Sequence, residues 1–205
     1  MREMWNEKFN RDGLLYGEEA NNFIKENYTL IKRGSKVLCL GEGEGRNALF
    51  LSRKGYDVTA LDASDVGLDK LKTMASKEDL SIHTKHMLVS QWSESEQYEG
   101  IVCTYMHLFE NEQKDMFAKA IDALHDKGYF IAEFFSVSQL DFESGGPKNI
   151  ALLYRLDDLY KIFSNLPCKI HKLSQEIVYL QEGSGHNGEA SVIRVILEKE
   201  IPHKS

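Results

Sequence analysis

The 205-residue sequence predicts a doubly wound α/β fold, a mostly parallel sheet flanked by helices, on three observations. Between about residues 36 and 135, short apolar runs alternate with segments of helical period. A glycine-rich turn follows the first run, and two long alternating runs near the C-terminus flank another. The length suits one domain, 1–205, with a helical lead-in or lid over 1–35, a ligand-binding core over 36–135, and a loop, helix and hairpin over 136–205.

The elements follow in order. "KVLCL" reads as the first strand, a helix runs from about Arg46 to Lys54 and stops at Gly55, and "YDVTALD" is the second strand. Ser64 can cap the next helix, where Leu68, Leu71, Met74 and Ala75 recur at helical spacing. "IHTKHML" and "GIVCTYM" supply the third and fourth strands. Met116, Phe117, Ala120, Ile121 and Leu124 mark one face of a helix ending near Gly128, before a fifth strand, "YFIAEFF". A short helix then turns Leu156, Leu159, Tyr160 and Phe163 inward, and "HKLSQEIVYLQEG" and "EASVIRVILEKE" form an antiparallel hairpin closing one sheet edge. In such a sheet the ligand crevice lies at the carboxyl ends of the strands.

Composition narrows the ligand. With 42% hydrophobic residues the chain can bury an ordinary core, and a formal charge of −7 leaves no basic excess for a phosphate backbone. A small molecule is the expected partner, with no nucleic acid. Cys39, Cys103 and Cys168 stand far apart without metal or disulfide spacing, which suits a reducing compartment. The opening "MREMWNEKFNRDG" lacks the apolar core of a signal peptide, and no apolar run approaches the roughly 20 residues that span a bilayer. A cytoplasmic protein without a membrane partner is expected. Asn27-Tyr28-Thr29 fits a glycosylation sequon by chance.

"CLGEGEGRNALF", residues 39–50, sets three glycines at alternate positions between strand and helix. No G-x-x-x-x-G-K-[ST] string exists, which excludes a nucleoside triphosphate loop. Gly43-x-Gly45-x-x-Ala48 does match a dinucleotide fingerprint, and Asp62 falls 19 residues beyond Gly43, where a ribose-binding acid belongs. Glu42 and Glu44, however, would face a pyrophosphate with like charge. The Tyr-x-x-x-Lys pair of a short-chain dehydrogenase occurs only upstream, at Tyr28 and Lys32. S-adenosylmethionine carries no phosphate and has a sulfonium and an ammonium against one carboxylate. Acidic residues near the loop suit it, backbone N–H groups can meet its carboxylate, and Asp62 can accept both ribose hydroxyls.

The stretch "VLCLGEGEGRNALFLSRKGYDVTALDASDVGLDKL" resembles the core of class I S-adenosylmethionine-dependent methyltransferases, especially the tellurite-resistance methyltransferase group. The likeness extends to "MWNEKF…LYGEEANNF", "MHL", "SGGPKN" and "LQEGSGHNGEASVIRV". It implies a Rossmann-like sheet of seven strands with the last antiparallel, and S-adenosylhomocysteine as product. It also implies a small acceptor, a thiol or a chalcogen oxyanion of the tellurite or selenite kind. By the same resemblance the cofactor lies against Tyr16, Gly41, Glu42, Gly43, Gly45, Asn47, Asp62, Ala63, Leu88, Val89, Cys103 and Thr104. The chain departs from the group's pattern where Cys39 replaces a strand-end acid and Glu42 a small residue or cysteine. Either Glu42 supplies the displaced carboxylate or the cofactor site is altered. Leu88 replaces an acid, so adenine would rest on Leu88 and Val89, and Ala20 replaces a proline with little consequence.

Methyl transfer draws mainly on alignment and water exclusion, so a general base is optional. Three substrate-side candidates stand out: His107, Glu133 and His186. His107, after the fourth strand, either touches the substrate or caps the next helix. Glu133, inside "YFIAEFF", either orients a substrate or anchors the "SGGPKN" loop, because a buried carboxylate is costly unless paired or functional. Glu182 and His186 fall in the apparent hairpin turn, where exposure is the plain expectation, yet they match the group's E-G-x-x-H-x-G string. Trp5, Phe9 and Tyr16 form an aromatic lid or simply staple the lead-in to the core. Cys103 either lines the methionine pocket with Thr104 or packs in its strand, as Cys39 and Cys168 do. His83 and His86 point to opposite strand faces, and no metal is expected. The alternatives are an NAD(P)-dependent oxidoreductase and a catalytically silent S-adenosylmethionine-binding protein.

Overall fold

A computed structural model describes residues 1–93 and 97–201. Its sheet has seven strands: β1 (Lys36–Leu40), β2 (Asp57–Asp62), β3 (Ile82–His86), β4 (Tyr98–Thr104), β5 (Leu124–Phe135), β6 (Cys168–Glu182) and β7 (His186–Lys199). Their spatial order is β3-β2-β1-β4-β5-β7-β6. Neighbours from β3 to β5 are parallel, and β7 runs antiparallel between β5 and β6. The predicted doubly wound sheet with an antiparallel C-terminal strand is therefore the observed one.

Strand alternation divides the core between the two sheet faces. Leu38, Leu40, Ile101, Cys103 and Phe130 pack on one side with Met116, Phe117 and Ile121 of α5 (Glu110–Ala123) and Leu159 and Phe163 of α6 (Leu156–Phe163). Val37, Cys39, Val58, Ala60 and Val102 pack on the other side with three helices, α2 (Asn22–Asn27), α3 (Arg46–Arg53) and α4 (Asp65–Lys77). Ser64 caps α4 as expected, its Oγ accepting the Gly67 N–H at 3.0 Å. The first helix, α1 (Arg2–Phe9), lies against α4 across the strand ends. Among the described residues no helix is long and apolar enough to cross a membrane.

Three local expectations are corrected. The helix expected to end near Gly128 stops at Ala123, because Leu124 leaves it to pair with Tyr98. Residues 125–127 then loop out exposed, with Lys127 at φ 63°, before Tyr129 rejoins opposite Gly100. Tyr160 points outward at 61% exposure, and Ile162 takes its place on the inner face of α6. Glu182 and His186 are paired strand residues rather than an open turn: the hairpin tightens to Gly183-Ser184-Gly185, and His186 is buried.

Gly45, the N-cap of α3, has φ 95°, and a Cβ there would come within 2.3 Å of Leu71 Cδ1 and 2.8 Å of its Cβ. Its absent side chain lets α3 and α4 approach. Gly45→Ala is expected to lower the unfolding free energy by about 2–4 kcal/mol, combining left-handed strain with overpacking. Urea denaturation measures it, and a loss below about 0.5 kcal/mol would remove this role for the glycine.

Candidate active site

A cavity of about 190 Å3 opens where β1, β2 and β4 end. Gly41, Glu42, Gly43, Asp62, Ala63, Leu88, Val89 and Thr104 form its floor and sides, and Trp5, Phe9 and Tyr16 roof it. The loop after β1 is held from within. Gly41 and Glu42 donate their N–H groups to Leu61 O, Gly43 to Asp62 Oδ2 at 2.8 Å, and Gly45 to Glu42 O. Asp62 Oδ1 accepts the Ser64 N–H at 2.7 Å. Burial pushes the Asp62 carboxyl up, opposed by these N–H groups. Because the loop N–H groups at 41, 42, 43 and 45 are engaged, they do not stand open to a ligand carboxylate as the sequence suggested.

Both acidic residues of "GEGEG" are buried, with different partners. Glu44 turns away from the cavity, accepting the Leu15 N–H at 2.8 Å and pairing with Lys70 Nζ at 2.8 Å. Lys70 also donates to Arg11 O and Gly13 O, so this pair fastens the lead-in over the loop. Glu42 stays on the cavity wall, where its Oε1 accepts the Ala48 N–H at 2.7 Å in the first turn of α3. Burial raises its carboxyl from an ordinary 4.5 to about 7. The wall thus carries Glu42, Asp62 and Glu112 against one guanidinium, Arg46.

Arg46 was missed by sequence reasoning. A cation at the first position of a helix opposes the macrodipole, and that anomaly in "GRN" was the available signal. Arg46 Nη1 pairs with Glu182 Oε1 at 3.0 Å, and its guanidinium carbon lies 6.0 Å from the ring centroids of both Tyr16 and Tyr105. The other Glu182 oxygen meets His186 Nδ1 at 3.0 Å. Burial pushes Glu182 up, but His186 and Arg46 outweigh it and hold the carboxyl below its usual range. The His186 ring sits between Tyr16, Tyr105 and Phe135, and burial holds its pKa below the ordinary value. With Nδ1–H donated to Glu182, Nε2 is the acceptor nitrogen of a neutral imidazole forming part of the cavity wall.

His107 also lines the cavity, 5.5 Å from the Trp5 ring. It does not cap α5, whose N-cap is Phe109. Burial, reinforced by the charges of Lys8 and His186, pushes its pKa down to about 3. Its Nε2 is buried and has no hydrogen-bond partner among the described residues.

Three predicted site residues lie off the wall. Gly45 packs on Leu71. Cys103 follows the strand period into the core, leaving Thr104, bonded by Asn47 Nδ2 at 3.1 Å, to face the cavity side. Glu133 is 1% exposed and ties Arg194 Nε at 2.7 Å, Asn21 Nδ2 at 2.9 Å and Tyr105 OH at 2.5 Å. It does not line the cavity, and the 144–149 loop is held instead by Gln139 through Ser144 Oγ and Gly145 O. Tyr16, Gly41, Glu42, Gly43, Asn47, Asp62, Ala63, Leu88, Val89, Thr104, His107 and His186 meet at the one cavity. Trp5 and Phe9 stack at 5.5 Å and Phe9 meets Tyr16 edge-on, while Phe9 also packs on Gly43. The aromatic segment therefore both roofs the cavity and staples the lead-in.

A family model described as Tellurite resistance protein TehB matches residues 15–133. The chain is 39% identical over 79 residues to the Haemophilus influenzae protein described as "Probable S-adenosyl-L-methionine-dependent methyltransferase TehB", a stretch covering 38% of this chain and 28% of that protein. This match thus spans little more than a quarter of the relative's length. The crystal structure of TehB from Haemophilus influenzae aligns with a TM-score of 0.73 and 21% identity, covering 97% of this chain and 67% of that one. The N-methyltransferase NodS from Bradyrhizobium japonicum, solved with S-adenosylhomocysteine, aligns at a TM-score of 0.71 and 12% identity, covering 97% of each chain. At these identities the two structures establish a shared fold.

Proposed function

The chain belongs to the TehB tellurite-resistance family, and we propose that it is an S-adenosylmethionine-dependent methyltransferase acting on a small-molecule acceptor. The observation that carries this reading is the charge of the cavity wall. Three carboxylates against one guanidinium, at a glycine loop with Asp62 at the strand end, suit a cationic adenosyl ligand and oppose a pyrophosphate. The residues present fit the cofactor. Asp62 oxygens each accept one backbone N–H and retain a lone pair for a ribose hydroxyl. Leu88 and Val89 offer apolar contact to adenine, Glu42 would meet the ammonium, and Arg46 would meet the carboxylate.

When bound, S-adenosylmethionine supplies a methyl group already activated by the sulfonium for in-line displacement. Trp5, Phe9 and Tyr16 line the cavity and would exclude water from it, and their faces favour a cation. His186 Nε2, held in one tautomer by Glu182, accepts the proton of a protonated acceptor. A thiol or a chalcogen oxyanion fits a site with so modest a base, since such nucleophiles need little help. Three free cysteines fit a cytoplasmic setting.

Incubation with S-adenosylmethionine and a panel of thiols, selenite and tellurite tests the reading through S-adenosylhomocysteine release. His186→Asn is expected to lower kcat/KM for a protonated thiol by about 100-fold, and to matter less above the thiol's own pKa. With wild-type protein the rate should persist as the pH drops through 6.5 and fall only at lower pH, because a base with a depressed pKa stays neutral below the ordinary imidazole value. No product with any acceptor would contradict the methyltransferase assignment.

A further inference from the structure

A second cavity, of about 430 Å3, shares Tyr16, His107 and His186 with the first. Its outer wall carries Lys8 and Arg11 against one carboxylate, Glu7. In a chain of net charge −7 adjacent unneutralised cations run against the trend, and among the described residues neither side chain has an ion-pair partner. Lys8 Nζ lies 4.6 Å from the Trp5 ring centroid, placing its charge beside the roof of the first cavity. Leu15, Gly145, Gly146 and Gly185 complete the wall, the three glycines letting the backbone pack closely on Tyr16, Phe135 and His186. The unpartnered His107 Nε2 stands in the wall common to both cavities, and leaving such a group buried costs about 1–3 kcal/mol unless a ligand satisfies it. A volume of this size falls within the roughly 300–1,000 Å3 of small-molecule pockets and exceeds what a bare oxyanion fills.

We propose that this second cavity docks the methyl acceptor and that the acceptor is an organic carboxylate, its acid group held by Lys8 and Arg11 and its other end against His107 and His186. The proposal rests on the methyltransferase reading and adds the substrate class. It assigns Lys8 and Arg11 to specificity, outside the cofactor site.

The test is equilibrium titration of the S-adenosylhomocysteine-saturated protein, followed by tryptophan fluorescence, with mercaptopropionate, its neutral counterpart mercaptopropanol, and selenite. Mercaptopropionate is expected to bind at least about 10-fold tighter than the alcohol. That preference should shrink at high salt and vanish in the Lys8→Met/Arg11→Met variant, whose affinity for S-adenosylhomocysteine stays unchanged. Selenite, which can meet Lys8 and Arg11 but cannot span to His107 and His186 as well, should bind more weakly than mercaptopropionate. Equal affinity for acid and alcohol, a preference surviving the double substitution, or selenite binding tighter than the acid would each overturn the proposal. S-adenosylhomocysteine binding without the acid preference removes this proposal alone. Failure of S-adenosylhomocysteine to bind removes the cofactor reading, and the same acid and alcohol comparison on the unliganded protein then still decides the anion site.

Discussion

Glu133→Ala is expected to cost about 3–5 kcal/mol of stability, the range for breaking one side of a buried ion pair. Glu133 is 1% exposed and accepts from Arg194, Asn21 and Tyr105 at once, so its removal takes one partner from three polar groups together. Arg194 keeps Glu176 at 3.0 Å, which places the cost inside that range rather than beyond it. Glu133→Gln retains an acceptor for the Tyr105 hydroxyl and should cost about half as much. Urea denaturation reads both, and a loss below about 1 kcal/mol for alanine would show that the network carries little. The network also reaches the cavity: Asn21 donates its backbone N–H to Asn47 Oδ1 and its amide to Glu182. Glu133 is thus a positioning residue. Its substitution should disturb stability far more than the affinity of the intact protein for S-adenosylmethionine.

Glu42→Gln is expected to have opposite effects on stability and on cofactor binding. The folded state raises the carboxyl from 4.5 to about 7 through burial, with the Ala48 N–H and Arg46 only partly offsetting it. A group whose pKa rises on folding contributes its full stability below the unfolded value and loses it as the pH climbs through the folded one. At pH 8 the charged carboxylate therefore costs about 3 kcal/mol, which the neutral amide avoids while still accepting the Ala48 N–H. Variant and wild type should converge below about pH 4.5 and diverge fully above pH 7. A cationic ligand relieves the same carboxylate, so the substitution that stabilises the free protein should weaken S-adenosylmethionine by at least about 10-fold. Equal stability at pH 8 would mean that the carboxylate is better solvated than its burial implies.

Periodic elements were legible in the sequence because burial on a sheet face or helix stripe leaves a pattern. The β1 run "KVLCL" divides residue by residue between the two core faces, and Leu68, Leu71 and Ala75 of α4 are all buried. Boundaries set by tertiary pairing were not: Leu124 continues the apolar stripe of α5 yet belongs to β5. The glycine loop was legible because Gly41, Gly43 and Asp62 meet at the adjacent ends of β1 and β2. The cavity wall around His186 was only half legible. His186 and Glu182 read as an open turn, and what buries them is Tyr16, Tyr105 and Arg46, brought from distant parts of the chain. Glu133 stood out correctly as an anomalous buried acid, but the residue that neutralises it, Arg194, lies on β7 across an antiparallel pairing 61 residues away.

Calorimetric titration of the purified protein with S-adenosylhomocysteine, and separately with NADH, tests the central claim most directly. Micromolar binding of S-adenosylhomocysteine, weakened at least about 10-fold by Asp62→Ala with the fold intact by circular dichroism, and no binding of NADH, is the predicted result. Binding of NADH without S-adenosylhomocysteine would contradict the account, and so would an affinity for S-adenosylhomocysteine that does not change when Asp62 is removed.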